Sequence, residues 1–199
     1  MKVAIITLEA FNELDSFIAS AILNRVPHPN WAVQICCPSD HVTSMNGVKI
    51  QTQQPLEYAN EADIVLFGSG MKTAEYANDP EFLKRLSLDP ASQLIGTQCS
   101  GALFLHRLGL CNGIVATDTM TAPYLSQEGL KISEMPLHVE GNVASAGGCL
   151  SSHYLAAWAI AMKTDWPTAE DIIHYIAPIG QKDEYAARAK ATILPHLPI

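Results

Sequence analysis

Four short apolar runs, residues 3–7, 31–37, 64–67 and 93–97, are nearly continuous rather than alternating. That is the pattern of strands buried on both faces of a parallel sheet. Helical periodicity fills the intervals. A helix starting near Asn12 is expected to gather Leu14, Phe17, Ile18, Ala21 and Ile22 on one apolar face, and a second covers 80–86 with Pro80 in its first turn. Strands alternating with helices predict a parallel sheet covered on both sides. Residues 137–145 differ, because Glu140-Gly141-Asn142 lies between two short apolar arms and reads as a tight hairpin. After Gly147-Gly148 the pattern predicts a strongly apolar helix over 150–162, then helices over 168–176, opened by Pro167, and 182–193. No repeat, low-complexity tract or linker divides residues 1–199, which predicts a single domain.

Composition narrows the function. At 48% hydrophobic and 16% charged the chain can bury a sizeable core and is not a disordered or coiled-coil sequence. A net charge of -8 with only 12 Lys and Arg, none in runs, argues against nucleic acid. No apolar stretch approaches the roughly 18 residues of a membrane helix, and the N-terminus lacks the long apolar run of a signal peptide. Five cysteines without framework spacing predict free thiols in a reducing compartment, hence a cytoplasmic protein. That leaves a small-molecule substrate or a protein as the expected partner.

In open parallel sheets ligands bind beyond the carboxyl ends of the strands. Asp15, in the first turn of the first helix, and Cys99, just after the run 93–97, both fall there, and adjacent strands are expected to bring them together. Around Cys99 the residues Gly96, Thr97, Gln98, Ser100 and Gly101 are small or polar and lead into a helix beginning at Ala102. A nucleophile on so tight a turn needs small neighbours. A helix N-terminus behind the sulfur favours the thiolate and offers N–H groups to a developing anion. A small buried cysteine at a strand end would share the same spacing.

The run Ile95-Gly96-Thr97-Gln98-Cys99-Ser100-Gly101-Ala102, followed by Leu108-Gly109-Leu110-Cys111-Asn112-Gly113 and Ala116-Thr117, resembles the ThiJ/PfpI superfamily of class I glutamine amidotransferase-like proteins. Glu13-Leu14-Asp15 resembles its acidic helix start, and Phe67-Gly68-Ser69-Gly70 its glycine-rich turn. Glu140-Gly141-Asn142 followed by Ser145-Ala146-Gly147 is similar to the branch containing isocyanide hydratase and the sensor domains of some transcription regulators. The resemblance implies a flavodoxin-like three-layer α/β/α sandwich with a mostly parallel sheet and a small β-hairpin. It also implies an elbow nucleophile at Cys99, a protonatable carboxylate at Asp15 (Glu13 being the second candidate), and backbone N–H groups near Gly70 and Ser100. Relatives pair through helices near the site, so a homodimer is expected. No cofactor and no metal are implied.

One departure stands out. Thr119 occupies the position where many relatives carry a histidine beside the cysteine, which weakens amidase and protease readings that need a base for an amine leaving group. The expected activity is therefore isocyanide hydratase-like addition of water to a small C–N compound. A glyoxalase or deglycase-like enzyme acting on small aldehydes and a non-catalytic redox or ligand sensor are the alternatives. His153, at the start of the helix after Gly147-Gly148, is a candidate neighbour of the site. His138 and Glu140 share one face of a hairpin arm and are expected to form an exposed polar face there. His106 lies two turns beyond Cys99, too far to serve it. Vicinal Cys36-Cys37 lacks the partners for zinc, and Cys111 and Cys149 read as small core or turn residues.

Overall fold

Val3 and Ile5 face one side of the first strand while Ala4 and Ile6 face the other, and all four are buried. The same two-sided burial recurs in the central strands, so continuous apolar runs do mark the middle of the sheet. The computed structural model describes residues 1–198. Its first half runs β1 (Lys2–Ile6), α1 (Glu13–Leu23), β2 (Ala32–Cys37), β3 (His41–Thr43), β4 (Lys49–Gln51), β5 (Gln54–Pro55), β6 (Ile64–Phe67), α2 (Thr73–Ala77), α3 (Pro80–Leu83) and β7 (Leu94–Gln98). It continues with α4 (Ala102–Arg107), β8 (Ile114–Val115), α5 (Ala122–Gln127), β9 (Lys131–Ile132), β10 (Leu137–Glu140), β11 (Val143–Ala146), α6 (Ser152–Lys163), α7 (Trp166–Ile176) and α8 (Lys182–Ile193).

Seven strands form one sheet in the order β10-β11-β7-β6-β1-β2-β5. Every pairing is parallel except the β10–β11 hairpin. α1, α6, α7 and α8 cover one face, with Trp158 fully buried among them, and α2 to α5 lie on the other around Phe67, Phe82 and Phe104. This is the flavodoxin-like α/β/α sandwich that the resemblance implies. Among the described residues no helix is long and apolar enough to cross a membrane.

Four expectations need correction. β6 lies between β1 and β7, so the strands leading to Asp15 and Cys99 are not neighbours. The buried face of α1 is Asp15, Ser16, Ala19, Ile22 and Leu23, whereas Leu14 is 47% exposed. The helix is turned so that two polar residues, rather than the most apolar set, meet the sheet. α3 ends at Leu83, and only a short turn carries the chain on to the buried Leu86. The apolar helix α6 is preceded by a 3-10 turn, Cys149–Ser151, rather than starting at Leu150.

Candidate active site

β7 ends in an abrupt turn. Cys99 has φ +50, in the left-handed region that a side chain with a Cβ avoids, and the chain passes through a 3-10 turn, Cys99–Gly101, into α4. Such a conformation costs about 1–3 kcal/mol and persists only where the surroundings hold it. They do so by close backbone approach. A Cβ at Gly101 would come within 2.8 Å of the Gly68 carbonyl, and one at Gly70 within 2.3 Å of the Ala10 carbonyl. Thr117 donates from Oγ1 to the Cys99 carbonyl at 2.8 Å, tying the turn to the segment after β8.

The Cys99 side chain is buried, only 4% exposed. Around its sulfur stand the Gln98 amide nitrogen at 3.5 Å, the Cys149 sulfur at 4.0 Å and the carboxyl of Asp15. Gln98 is itself fixed by donating to the Gly148 carbonyl at 2.7 Å. Donor atoms of Asp15, Cys99 and Cys149 all lie within 4.8 Å of one another. No other group of His, Cys, Asp and Glu among the described residues converges so closely that it could hold a metal ion, and no histidine joins this one.

Asp15 is 2% exposed. Its Oδ2 accepts a hydrogen bond from the Ser69 hydroxyl, while its Oδ1 is buried with no partner. A buried ionised oxygen without a donor is costly; a protonated one can itself donate. Burial accordingly pushes the Asp15 carboxyl above its ordinary value, with the Ser69 hydrogen bond opposing. Burial first and the Asp15 charge second push the Cys99 thiol upward, against the sequence expectation that the helix N-terminus would favour the thiolate. Both shifts disfavour the state in which the two groups are charged together, so the pair is expected to share a proton.

The other expected residues fall into two sets. Ser100 and Gly70 are at the site: Gly70 N–H points at Ser100 Oγ at a long 3.5 Å, and Ser100 Oγ donates to Thr73 Oγ1 at 3.0 Å. Glu13 is not, because its carboxylate takes Ser44 Oγ and, at 2.8 Å, Asn46 Nδ2, which clamps the loop between β3 and β4. The Ser44 hydroxyl holds that carboxyl below its usual range. Thr119 is exposed and makes no side-chain hydrogen bond; Thr117, two residues earlier, is the threonine that reaches the elbow.

His153 turns its Nδ1 to the Leu150 carbonyl and its ring to Tyr154. It lines a separate cavity of about 450 Å³ with Ile18, Tyr185 and Arg188. Its first-turn position on α6 places the residue near the cleft, but the side chain faces α8. His106 pairs with Glu128 at 2.9 Å, and His138 lies 3.4 Å from Glu140 on the hairpin face, as its spacing predicts. Replacing His138 with alanine is therefore expected to leave turnover within a few-fold of wild type in a steady-state assay; a loss of orders of magnitude would make that pair part of the chemistry.

Sequence reasoning missed three groups. Cys149, expected in the core or a turn, abuts Cys99. Asn12, the N-cap of α1, turns its amide to the Cys149 sulfur at 3.1 Å. Ser69 holds Asp15. The available signal was position alone, since all three follow the carboxyl ends of parallel strands.

A model of the DJ-1/PfpI family matches residues 1–161, four-fifths of the chain, elbow and hairpin included. The chain belongs to the DJ-1/PfpI family. The family includes cysteine-dependent enzymes. No curated protein matches the chain by sequence. Among solved structures, a ThiJ/PfpI family protein from Pseudomonas syringae is similar at 19% identity and TM-score 0.75, covering 97% of this chain and 90% of that one. Oxidised DJ-1 from Toxoplasma gondii is similar at 17% identity and TM-score 0.74, covering 88% and 97%. DJ-1 from Schizosaccharomyces pombe is similar at 14% identity and TM-score 0.66, covering 94% and 98%. At these identities the likeness is one of fold.

Proposed function

We propose that this protein is a cysteine-dependent hydratase that adds water to an isocyanide and releases an N-substituted formamide. The observation that carries the reading is the unpaired, buried Oδ1 of Asp15 beside the Cys99 sulfur, in a cluster without histidine. An acid is available there, and a separate base for an amine leaving group is not.

The chemistry follows from these groups. The Cys99 thiolate adds to the terminal carbon of R–N≡C, and Asp15 gives that carbon its proton, leaving a thioimidate on sulfur. Water then attacks the same carbon as the Asp15 carboxylate takes one of its protons and passes it to nitrogen. The tetrahedral intermediate collapses with cleavage of the C–S bond, its hydroxyl proton returning to Asp15. One water is consumed, and thiolate and acid are regenerated. N–H groups at Gly70 and Ser100 line the elbow.

A peptide amide fits poorly, because its nitrogen must be protonated to leave. Aldehydes, the substrates of glyoxalase or deglycase-like chemistry, are the other enzymatic reading. A panel of aryl isocyanide, methylglyoxal and peptide amide, followed spectroscopically, tests the proposal. Formamide from the isocyanide is expected; turnover of the amide or aldehyde alone would refute it.

The reading treats residues 1–199 as one domain of a cytoplasmic homodimer. Leu14, Met71 and Leu150, 47%, 75% and 71% exposed, each adjoin a residue at the site and offer apolar surface to a second copy. Light scattering at micromolar concentration is expected to give two 21.5 kDa chains, and the mass of one chain would contradict it.

A further inference from the structure

β7 and β11 are neighbouring parallel strands, with Gln98 paired in register with Ala146. The residue after Gln98 is Cys99, and three residues after Ala146 comes Cys149. Topology thus delivers two thiols to the carboxyl end of one strand pair, their sulfurs 4.0 Å apart. The mechanism proposed above uses only the first. We propose that Cys149 is a resolving thiol: a hydroperoxide oxidises Cys99, and Cys149 then closes a reversible Cys99–Cys149 disulfide at the site.

Three features favour the second step. A disulfide needs its sulfurs about 2.05 Å apart, so roughly 2 Å of approach is required. Gly148 stands immediately before Cys149 at φ +82, with open space where a Cβ would stand. The segment that must move therefore begins at its most adaptable point. The Asn12 amide donates to the Cys149 sulfur at 3.1 Å, opposing the burial and the Asp15 charge that push this thiol up. Cys149 is also half-buried rather than sealed, unlike Cys36 and Cys37 on β2.

The steps balance. Thiolate sulfur of Cys99 attacks an oxygen of ROOH, the O–O bond breaks, and ROH leaves with the proton of Asp15, sulfenic acid remaining on Cys99. Cys149 passes its thiol proton to the Asp15 carboxylate and its sulfur attacks that sulfur; the S–O bond breaks, and the departing hydroxide takes the same proton from Asp15 and leaves as water. Two thiols are oxidised to one disulfide and one hydroperoxide is reduced to an alcohol.

The inference needs Cys99 to be the reactive thiol, as the proposed function does, but not that the substrate is an isocyanide. Its test is peptide mass mapping of the whole protein, in chelator, after a small excess of hydrogen peroxide. Wild type is expected to lose two of its five thiols and yield a peptide pair joined through Cys99 and Cys149, both restored by dithiothreitol. Cys149→Ser and Cys149→Ala are expected instead to carry Cys99 on to sulfinic acid, which dithiothreitol does not reverse. Wild-type Cys99 oxidised to sulfinic acid while Cys149 stays free would overturn the inference and leave the hydratase reading standing. A Cys99 that takes up no oxidant would also overturn it. Isocyanide turnover, measured on the same sample before oxidation, reports on the hydratase reading separately.

Discussion

Replacing Cys99 with alanine is expected to bring formamide formation down to the uncatalysed background, a loss on the order of 10⁴-fold or more. The size follows from the role. Without the sulfur there is no thioimidate, and water would have to attack the isocyanide carbon with only Asp15 and backbone N–H groups to help. Fold loss would not explain the result, because alanine fits the space of a buried thiol and faces the same left-handed backbone at φ +50. A circular dichroism melt close to that of wild type, together with the lost rate, would separate chemistry from stability. A variant within tenfold of wild type would remove Cys99 from the reaction.

Asp15→Asn is expected to lower turnover by about 10² to 10⁴-fold while raising the melting temperature at neutral pH. Both effects come from the same burial. The folded-state pKa of Asp15 lies above its unfolded value because desolvation disfavours the carboxylate. Its favourable contribution to stability is therefore fully present below the unfolded value, near pH 4, and is lost as pH rises through the folded one. Asparagine does not titrate, so its advantage appears at neutral pH and vanishes in acid. Melting curves at the two pH values, beside the activity assay, check this. On the proposed function, a residue that weakens the fold at neutral pH is retained for its chemistry. Unchanged turnover would leave Asp15 as a charge at the start of α1.

Where one local rule acts alone, sequence and structure agree. The run 64–67 is strand because every residue is apolar and both faces of β6 are covered. The helix over 182–193 keeps both its ends, and the hairpin at Glu140-Gly141-Asn142 forms where its turn residues stand. The apolar face of α1 was illegible because Asp15 and Ser16 are buried for reasons outside the helix: Ser69 holds the first, and Thr7 donates to the second at 3.1 Å. Periodicity counts apolar residues and cannot see such partners. β3, β4, β8 and β9, two or three residues each, are too short for any period to register.

The candidate site was half legible. Cys99 declared itself through its small neighbours, and Asp15 through its place in the first turn after β1. Cys149 did not, because its approach to Cys99 depends on β11 lying beside β7, a pairing across 48 residues of register (Ala146 with Gln98) that no local pattern encodes. Thr119 was expected by counting along the chain from Ala116-Thr117, whereas the close approach of Gly147 to Thr117 makes the earlier threonine the one that meets the elbow.

The central claim is that Asp15 and Cys99 are one proton-sharing unit. It is tested most directly by the pH dependence of Cys99 alkylation with iodoacetamide, read at the Cys99 peptide in wild type and Asp15→Asn. Burial and the like charge raise both groups, so wild type is expected to titrate in two separated steps, the upper one above the ordinary thiol value. In Asp15→Asn the like charge is gone, and a single step below that upper one is expected. The same single step in both proteins would contradict the account.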